Sequence, residues 1–592
     1  MCGIVACVST QCIDFLFKGL SQLKNRGYDS VGIATLSLGK FRLDKFASID
    51  AYAQLESHAP KHAQSTLGIA HTRWATHGAK TDINAHPHLS GCGKFAIVHN
   101  GILENYQELK NVLESKGFIF VSQTDSEVIA HLLSLYSQTK PMLECIQELN
   151  QVLRGSWAIA ILCIETQEIY CTGEPLLVGY NEEHAMVVSE KSGFCQITQY
   201  FVLHPTDICK IVKTSEGVKV TTLDDYSNCL QILTMESDQS MGPFEHWTLK
   251  EIDEQPESAL RVMEGRLYPN FVYFKEFEDI VDLLTTDHLI LLGCGTSYFA
   301  GQHGLFFLKE LCDFTTVQLF DGAEFSELDI PKKGKTTLLL LSQSGETKDL
   351  HRCIDIGRQH HLFLLGLINV EDSRIAREVD AVCYLKAGRE VGVASTKSYT
   401  SQVICLALLS IWFAQQKDLN PSKRMQYLDD LQQLSQDIRT TLDANTIDVS
   451  LFQNKSHCFL LGKGPAESVA KEGALKIKEM SCLHCEGYST SSLKHGPFSL
   501  LDEQFPVILI DSNQNIESQK SENAYEEIKA RHAPILWISH KPRPHSLWIA
   551  ENQTFGPLLS ILPLQQLAYH LSIARDLNPD FPRNLAKVVT VE

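Results

Sequence analysis

The chain has 592 residues, 44% hydrophobic and 21% charged, the balance of a folded globular protein rather than a disordered one. Lys+Arg 52 against Asp+Glu 71 gives a net charge of −19, so the chain as a whole repels nucleic acid and anionic membrane, and only a local cationic pocket for a phosphate is compatible with it. No apolar run approaches the ~18–20 residues of a membrane span.

The start, Met-Cys-Gly-Ile-Val, lacks the basic region and apolar stretch of a secretion signal. With 18 scattered cysteines, it points to a reducing cytoplasm. Cys482-Leu-His-Cys485 is the only C-x-x-C, and no second pair stands at zinc spacing, so no metal is expected. At ~100–200 residues per domain, the length predicts about three or four domains.

Residues 1–235 read as β-rich with some helix. Short apolar runs such as Gly68-Ile-Ala70 and Phe95-Ala-Ile-Val98 are broken by Gly, His and Asn. Val128, Ile129, Leu132, Leu133 and Tyr136 recur at helical spacing and predict a helix over 126–136. Thr124-Asp-Ser-Glu127 ahead of it has the form of a capping box. Residues 236–270 turn polar, with Pro243 and Pro256, and read as a linker.

The remainder holds an internal repeat. Leu291-Leu-Gly-Cys-Gly-Thr-Ser297 returns as Leu460-Leu-Gly-Lys-Gly-Pro-Ala466, and at the same offset of 169 Leu338–Leu341 falls on Val507–Ile510. Each copy offers an apolar strand, a Gly turn and a helix, the pattern of a parallel sheet buried on both faces. The expected copies are residues 271–430 and 431–575, with a tail at 576–592. Ligands of such sheets bind at the carboxyl ends of strands, near helix N-termini.

Cys2 becomes the first residue if the initiator Met is removed. Its thiol is then a nucleophile and its own α-amine a base, titrating near 7.7–8.0. By position alone it is more simply the second residue of a strand. His71-Thr-Arg-Trp-Ala-Thr-His-Gly78 brings a guanidinium, hydroxyls and aromatics together. Asn100 beside the Gly101 N–H suits an oxyanion hole, and Arg73 suits a carboxylate. Asp125 suits an ammonium or, equally, a helix cap. A substrate with carboxylate, amine and side-chain carbonyl fits glutamine.

These segments, with Asn25-Arg-Gly-Tyr-Asp-Ser30, Asn84-Ala-His-Pro-His88 and Thr124-Asp125, resemble in order a class II (N-terminal-nucleophile) glutamine amidotransferase domain, an α+β fold. The resemblance implies Cys2 as nucleophile, Arg73, Thr76, His77 and Asp125 as glutamine-binding residues, Asn100 and Gly101 as oxyanion hole and Trp74 as ammonia gate. It gives His86 and His88 a structural role despite their metal-like spacing.

In the second part, Ser342-Gln-Ser-Gly-Glu-Thr347 follows the Leu-rich strand. Hydroxyls and backbone N–H groups at a helix N-terminus make an anion cradle, or merely a capping turn. It is not a nucleotide P-loop, since no Gly-Lys-Ser/Thr follows. Gly293-Cys-Gly-Thr-Ser297 offers a second such turn. Lys476 and Glu479 share a helix face and are, for such spacing alone, most often a surface ion pair. His495 lies in a turn, and Lys587 near the end of the chain is a lysine able to form a Schiff base or simply to be solvated.

Cys294–Ser297, Ser342–Thr347, Gly392-Val-Ala-Ser-Thr-Lys397, Glu472–Glu479, Lys494–Pro497 and Pro582–Glu592 resemble paired α/β sugar isomerase (SIS) domains with parallel sheets. With the front domain, the whole chain resembles the isomerising glutamine–fructose-6-phosphate aminotransferases. The resemblance implies that Ser297, Ser342, Gln343, Ser344 and Thr347 hold a sugar phosphate and that Thr296, Val393, Ser395 and Ala586 line the sugar. It makes Glu479 the carrier of a proton between C1 and C2, with Lys476 beside it, and Lys587 the imine-forming residue. His495 assists ring opening from the neighbouring subunit of a homodimer.

The implied substrates are L-glutamine and D-fructose 6-phosphate, and the implied products D-glucosamine 6-phosphate and L-glutamate, the first step toward hexosamines, with ammonia passed internally and no cofactor. Two departures stand out: Ser491-Ser492 where the family has Gly-Glu, and Cys485-Glu-Gly-Tyr488 for Ala-Glu-Ala-Tyr. Other amidotransferases fit less well, because neither a phosphoribosyl-diphosphate loop nor a Ser-Gly-Gly ATP loop is found. A sugar-phosphate sensor on the same fold need not keep Cys2, Glu479, His495 and Lys587 together.

Overall fold

The computed structural model describes residues 2–37, 39–48, 50–233, 240–278, 280–511 and 515–589, with side chains left undescribed at 515–517. Met1, the first residues of the expected linker (236–239) and the last three of the tail motif (590–592) lie outside the described residues. The chain divides into two compact units, one comprising Met1–Met235 with Ala586–Val591, the other Glu236–Leu585.

Among the described residues, the first unit holds an eight-stranded and a six-stranded antiparallel sheet. Strand Gly3–Val8 lies centrally in the larger one, paired with Leu67–Arg73 on one side and Ala185–Val188 on the other. Side chains alternate across a strand. Ile4, Ala6 and Val8 meet Ala96, Val98, Ala158 and Ala160 of the second sheet. Val5 and Cys7 instead meet Phe15, Leu16 and Leu20 of the helix Cys12–Gln22. On the outer face of the second sheet, Ile97, Ile159 and Ile161 pack against Val128, Ile129 and Leu133. The unit is therefore four layers, helix–sheet–sheet–helix, and both sheets are covered on both faces.

The predicted helix runs Glu127–Tyr136, but the capping box does not form. Ser126 caps it without a side-chain bond. The Glu127 carboxylate accepts instead from the backbone N–H groups of Val121 and Ser122, two donors of the preceding loop that have no ladder to join.

The second unit holds two five-stranded parallel sheets of like order. Strand His288–Gly293 maps onto His457–Gly462 at the offset of 169, and helix Thr296–Leu311 begins where Pro465–Ser481 does. Even the glycines that cap these helices match: Gly295 (φ 54°, ψ −123°) and Gly464 (φ 60°, ψ −130°) share one conformation, which a side chain rarely adopts. Leu338–Leu341 are wholly buried, each contributing about 1.5–3 kcal/mol, because the sheet is covered on both faces.

One apolar core joins the two repeats through the helices Thr296–Leu311, Lys397–Gln416, Pro465–Ser481 and Ile561–Ile573. The segment that read as a linker contributes to this core. Trp247–Asp253 and Gln255–Met263 are helices whose Ile252, Ala259, Val262 and Met263 are buried there. Among the described residues no helix is long and apolar enough to cross a membrane, and no group of three or more His, Cys, Asp or Glu could hold a metal ion.

Candidate functional site

The Cys2 thiol lies in the first unit at the edge of strand Gly3–Val8. Its Sγ accepts from the Trp74 N–H at 3.3 Å and faces the Trp74 carbonyl at 3.7 Å. Burial pushes its pKa up, against the lowering pull of the amino terminus, the Trp74 N–H, Arg73 and Arg26. The resting sulfur is therefore a thiol, and ionising it takes a base. Gly27 allows the approach of this segment: a Cβ there would fall 2.5 Å from the Arg73 carbonyl carbon and 2.7 Å from the Trp74 nitrogen.

Asn100 and Gly101 sit on strand Phe95–Leu103. Asn100 Nδ2 donates to the Cys2 carbonyl at 2.9 Å, and Asn100 Oδ1 lies 3.0 Å from His71 Nε2. Gly101 has φ 129°, with Ser156 O 2.0 Å from where a Cβ would stand. Arg73 is buried; one guanidinium nitrogen donates to the His77 carbonyl while Nη1 has no partner among the described residues. Burial lowers the Arg73 pKa against the opposing charges of Cys2, Asp29 and Asp125. An unpaired buried N–H beside carboxylates is ready for a planar anionic group.

Asp125 is buried and accepts from the Leu103 N–H at 2.9 Å. Asp29 accepts from the Ala75 N–H at 2.9 Å and pairs with Lys80 at 2.6 Å, which holds the Trp74–Gly78 loop. Trp74 stands edge-on to Tyr28 at 5.5 Å, Thr76 is exposed, and His77 packs against Tyr106 at 5.3 Å. His86 lies between His71 (4.3 Å, tilted) and His88 (4.6 Å, edge-on), and burial drives all three well below their ordinary pKa.

The other cluster belongs to the second unit. Strands His288–Gly293 and Thr336–Ser342 are parallel neighbours, so their two following turns emerge side by side at the carboxyl edge of the sheet. Ser342 Oγ accepts from the Gly345 N–H at 2.9 Å and lies 3.1 Å from Thr347 Oγ1; Ser344 Oγ accepts from the Glu346 N–H at 3.1 Å. Thr347 caps the helix Lys348–Gln359, and Gln343 is half-buried in the turn. Gly345 has φ 66°, and a Cβ there would collide with Ser373 Oγ at 1.8 Å. Ser297, in the first turn of its helix, accepts from the buried Gln402 amide at 3.0 Å, leaving its O–H free to donate.

Against this cradle the second repeat sets its acid–base groups. Lys476 Nζ donates to Thr296 Oγ1 at 3.1 Å, contacts Glu479, and lies 3.5 Å from Glu472. Thr296 Oγ1 in turn donates to Glu472 Oε1 at 3.2 Å. Burial pushes the Glu472 carboxyl up to about 8, against Lys476, and Glu479 adds to the rise. Burial alone would lower the Lys476 pKa, but the two carboxylates outweigh it and hold the ammonium. One cation shared by buried Glu472 and half-buried Glu479 leaves a proton on one of the two, and the raised pKa places it on Glu472.

Glu472 lies in the motif Glu472–Glu479, but the motif assigns it no role. Its signal was the i, i+4 spacing to Lys476. Gln402, Glu251 and Asp580 carry no local signal in the sequence; their side chains bond to groups 105 or more residues away.

Val393 is buried and Ser395 half-buried. His495 is exposed at the end of the segment Thr490–His495, where Ser491 accepts from Lys463 at 3.1 Å. Ala586 and Lys587 are half-buried in the tail segment that belongs to the first unit. The fold thus brings together Cys2, Arg73, Trp74 and Asn100 in one unit and Thr296, Ser297, the Ser342–Thr347 turn, Lys476 and Glu479 in the other.

A half-buried thiol beside an amide donor, followed by a duplicated parallel-sheet unit with an anion cradle, defines a glutamine amidotransferase joined to sugar isomerase domains. The glutamine amidotransferase domain family matches residues 71–196, and the SIS domain family matches residues 282–411 and 450–544. Over its full length the chain is 42% identical to a probable glutamine–fructose-6-phosphate aminotransferase (isomerizing) of Acanthamoeba polyphaga mimivirus. It is 35% identical to the glutamine–fructose-6-phosphate aminotransferase (isomerizing) of Thermus thermophilus, again with 100% of both chains covered. The C-terminal domain of glucosamine-fructose-6-phosphate aminotransferase from Francisella tularensis superposes with a TM-score of 0.53 at 27% identity, covering 58% of this chain and 100% of that one. The chain belongs to the isomerising glutamine–fructose-6-phosphate aminotransferase family.

Proposed function

We propose that the chain makes D-glucosamine 6-phosphate and L-glutamate from D-fructose 6-phosphate and L-glutamine. Arg73 and Asp125 hold the glutamine carboxylate and ammonium, with Thr76 and His77 beside them. The Cys2 thiolate attacks the side-chain amide, its proton taken by the α-amine once Met1 is gone. Asn100 Nδ2 and the Gly101 N–H stabilise the oxyanion. Ammonia leaves a thioester that water hydrolyses to glutamate. Trp74 gates delivery of the ammonia to the sugar site, where it is used before protonation can quench it.

There Ser297, Ser342, Gln343, Ser344 and Thr347 bind the phosphate, and Thr296, Val393, Ser395 and Ala586 line the sugar. His495 of a second copy assists ring opening. Lys587 condenses with the C2 carbonyl, and ammonia displaces it. Glu479 then takes a proton from C1 and returns it at C2, and Lys476 beside it assists this proton shift. We read the working form as a cytoplasmic homodimer.

The observation that carries this reading is Lys476, bonded at once to Thr296 of the phosphate-side turn and to Glu479. Phosphate cradle and proton-moving groups from opposite repeats then serve one substrate. Purified chain supplied with both substrates should release glucosamine 6-phosphate. Cys2→Ala should abolish glutamine-dependent synthesis, and Glu479→Gln should abolish synthesis while glutamate release persists. Synthesis retained by Cys2→Ala would defeat the assignment.

A further inference from the structure

The helix Trp247–Asp253 joins two segments that sequence keeps far apart. The Asp580 carboxylate closes its N-terminus: Oδ2 accepts from the Trp247 N–H at 3.0 Å and Oδ1 from the Thr248 N–H at 2.8 Å. Thr248 Oγ1 donates to the Pro579 carbonyl at 3.1 Å. The carbonyl of Asp580 itself accepts from the Val393 N–H at 3.0 Å.

Further along the same helix, the buried Glu251 carboxylate accepts from the N–H groups of Val391 and Gly392. The fit admits no side chain at Gly392, where a Cβ would stand 2.9 Å from both Glu251 Oε2 and Thr248 Oγ1. Asp580 is 4% exposed and Glu251 1%. Two carboxylates are buried here, and among the groups they bind are backbone N–H groups of the 391–392 loop and of the helix start. That is costly unless the geometry they fix matters.

We propose that Asp580 is a positioning residue for the sugar site, an inference that rests on the function proposed above. Its carbonyl holds the loop bearing Val393 and Ser395, its side chain holds the start of the helix whose Glu251 grips that same loop, and together these bonds fix the root of the tail. Lys587 follows seven positions later. An extended chain advances at most ~3.3–3.6 Å per residue, so Lys587 works within about 25 Å of this anchor. Releasing the anchor lengthens the leash and lowers the frequency with which the amine meets the ketose.

Asp580→Asn keeps size and shape but turns one acceptor into an N–H that faces another N–H. The test follows imine formation directly. Lys587 Nζ adds to the C2 carbonyl of open-chain fructose 6-phosphate and water departs. Borohydride then delivers hydride to the imine carbon, a solvent proton goes to nitrogen, and the resulting secondary amine is read by peptide mass. With full-length protein, Asp580→Asn should slow both trapping and synthesis by about tenfold, the effect of losing a charge-assisted bond. Glutamine hydrolysis should stay within about twofold, and Asp580→Glu should restore part of the loss.

Thr248→Val, which removes only the bond to Pro579, gives a smaller loss of the same kind and serves if Asp580→Asn does not fold. Trapping and synthesis at the wild-type rate in either folded variant overturn the inference. So does a loss shared equally by glutamine hydrolysis, which marks a merely structural role. If the unaltered chain yields no trapped adduct, the reading of the sugar site falls and this inference with it.

Discussion

The Lys476 ammonium lies 3.5 Å from the Glu472 carboxylate, and neither side chain has any exposed surface. A buried pair of this kind is weak evidence for stability, because desolvation offsets the attraction. Its use lies in charge control: a proton on Glu472 leaves Lys476 paired with Glu479 alone, and in the proposed reaction Glu479 is then the carboxylate left to exchange a proton with substrate.

From this follows a pH signature. The Glu472 pKa is raised from 4.5 to about 8, so the folded state binds a proton that the unfolded state releases. Stability must therefore fall as pH rises from about 4.5 to about 8. Glu472→Gln mimics the protonated form and should flatten that slope, with melting temperatures recorded between pH 5 and 8.5 as the check. The same substitution should remove an alkaline limb near pH 8 from the synthesis rate. An unchanged limb would assign it to another group.

The Ser342–Thr347 turn, proposed above to hold the phosphate, offers a second test, from backbone geometry. Gly345 has φ 66° and no room for a Cβ beside Ser373, and its N–H is fixed by Ser342 Oγ. Gly345→Ala must displace the turn, moving the hydroxyls of Ser342, Ser344 and Thr347 together. A displacement of about 1 Å costs on the order of 10²-fold. We expect that loss in kcat/KM for fructose 6-phosphate, chiefly through KM, with glutamine hydrolysis unaltered. Steady-state kinetics of the two half-reactions separate these outcomes.

What the sequence made legible was whatever depends on local chemistry. The offset of 169 was readable because Gly293 and Gly462 each start a turn that only a small residue permits, and the strands His288–Gly293 and His457–Gly462 do stand in equivalent places. The residues gathered around Cys2 and around Lys476 were in the motifs. The four-layer sandwich was hidden, since strands covered on both faces lose the polar–apolar alternation that would announce a sheet.

The Thr124–Glu127 motif misled because Glu127 found backbone donors in the loop before it. The segment 236–270 read as a linker because its helices are short and polar outside. Their anchors, Gln565 and Asp580, lie more than 300 residues away, beyond the reach of any local pattern.

A third prediction concerns Asn100, proposed above as an oxyanion donor. His71 Nε2 lies 3.0 Å from Asn100 Oδ1 and 3.1 Å from the His99 carbonyl, and both of these are acceptors. The ring therefore carries its proton on Nε2 and shares it between them. Burial holds the His71 pKa down to about 3, so this tautomer persists across the working pH range. With Oδ1 tied, the Asn100 amide must turn Nδ2 toward the Cys2 backbone and the substrate oxygen. His71→Phe fills the space against His86 but removes the donor, and the amide is then free to flip. The expected loss is about 10²-fold in kcat for glutamine hydrolysis, the scale of one oxyanion donor, with KM little changed because the proposed glutamine-binding pair Arg73 and Asp125 is untouched. The wild-type rate should show no inflection assignable to His71 between pH 5 and 8. A large rise in KM with kcat preserved would move His71 from orienting the amide to binding glutamine.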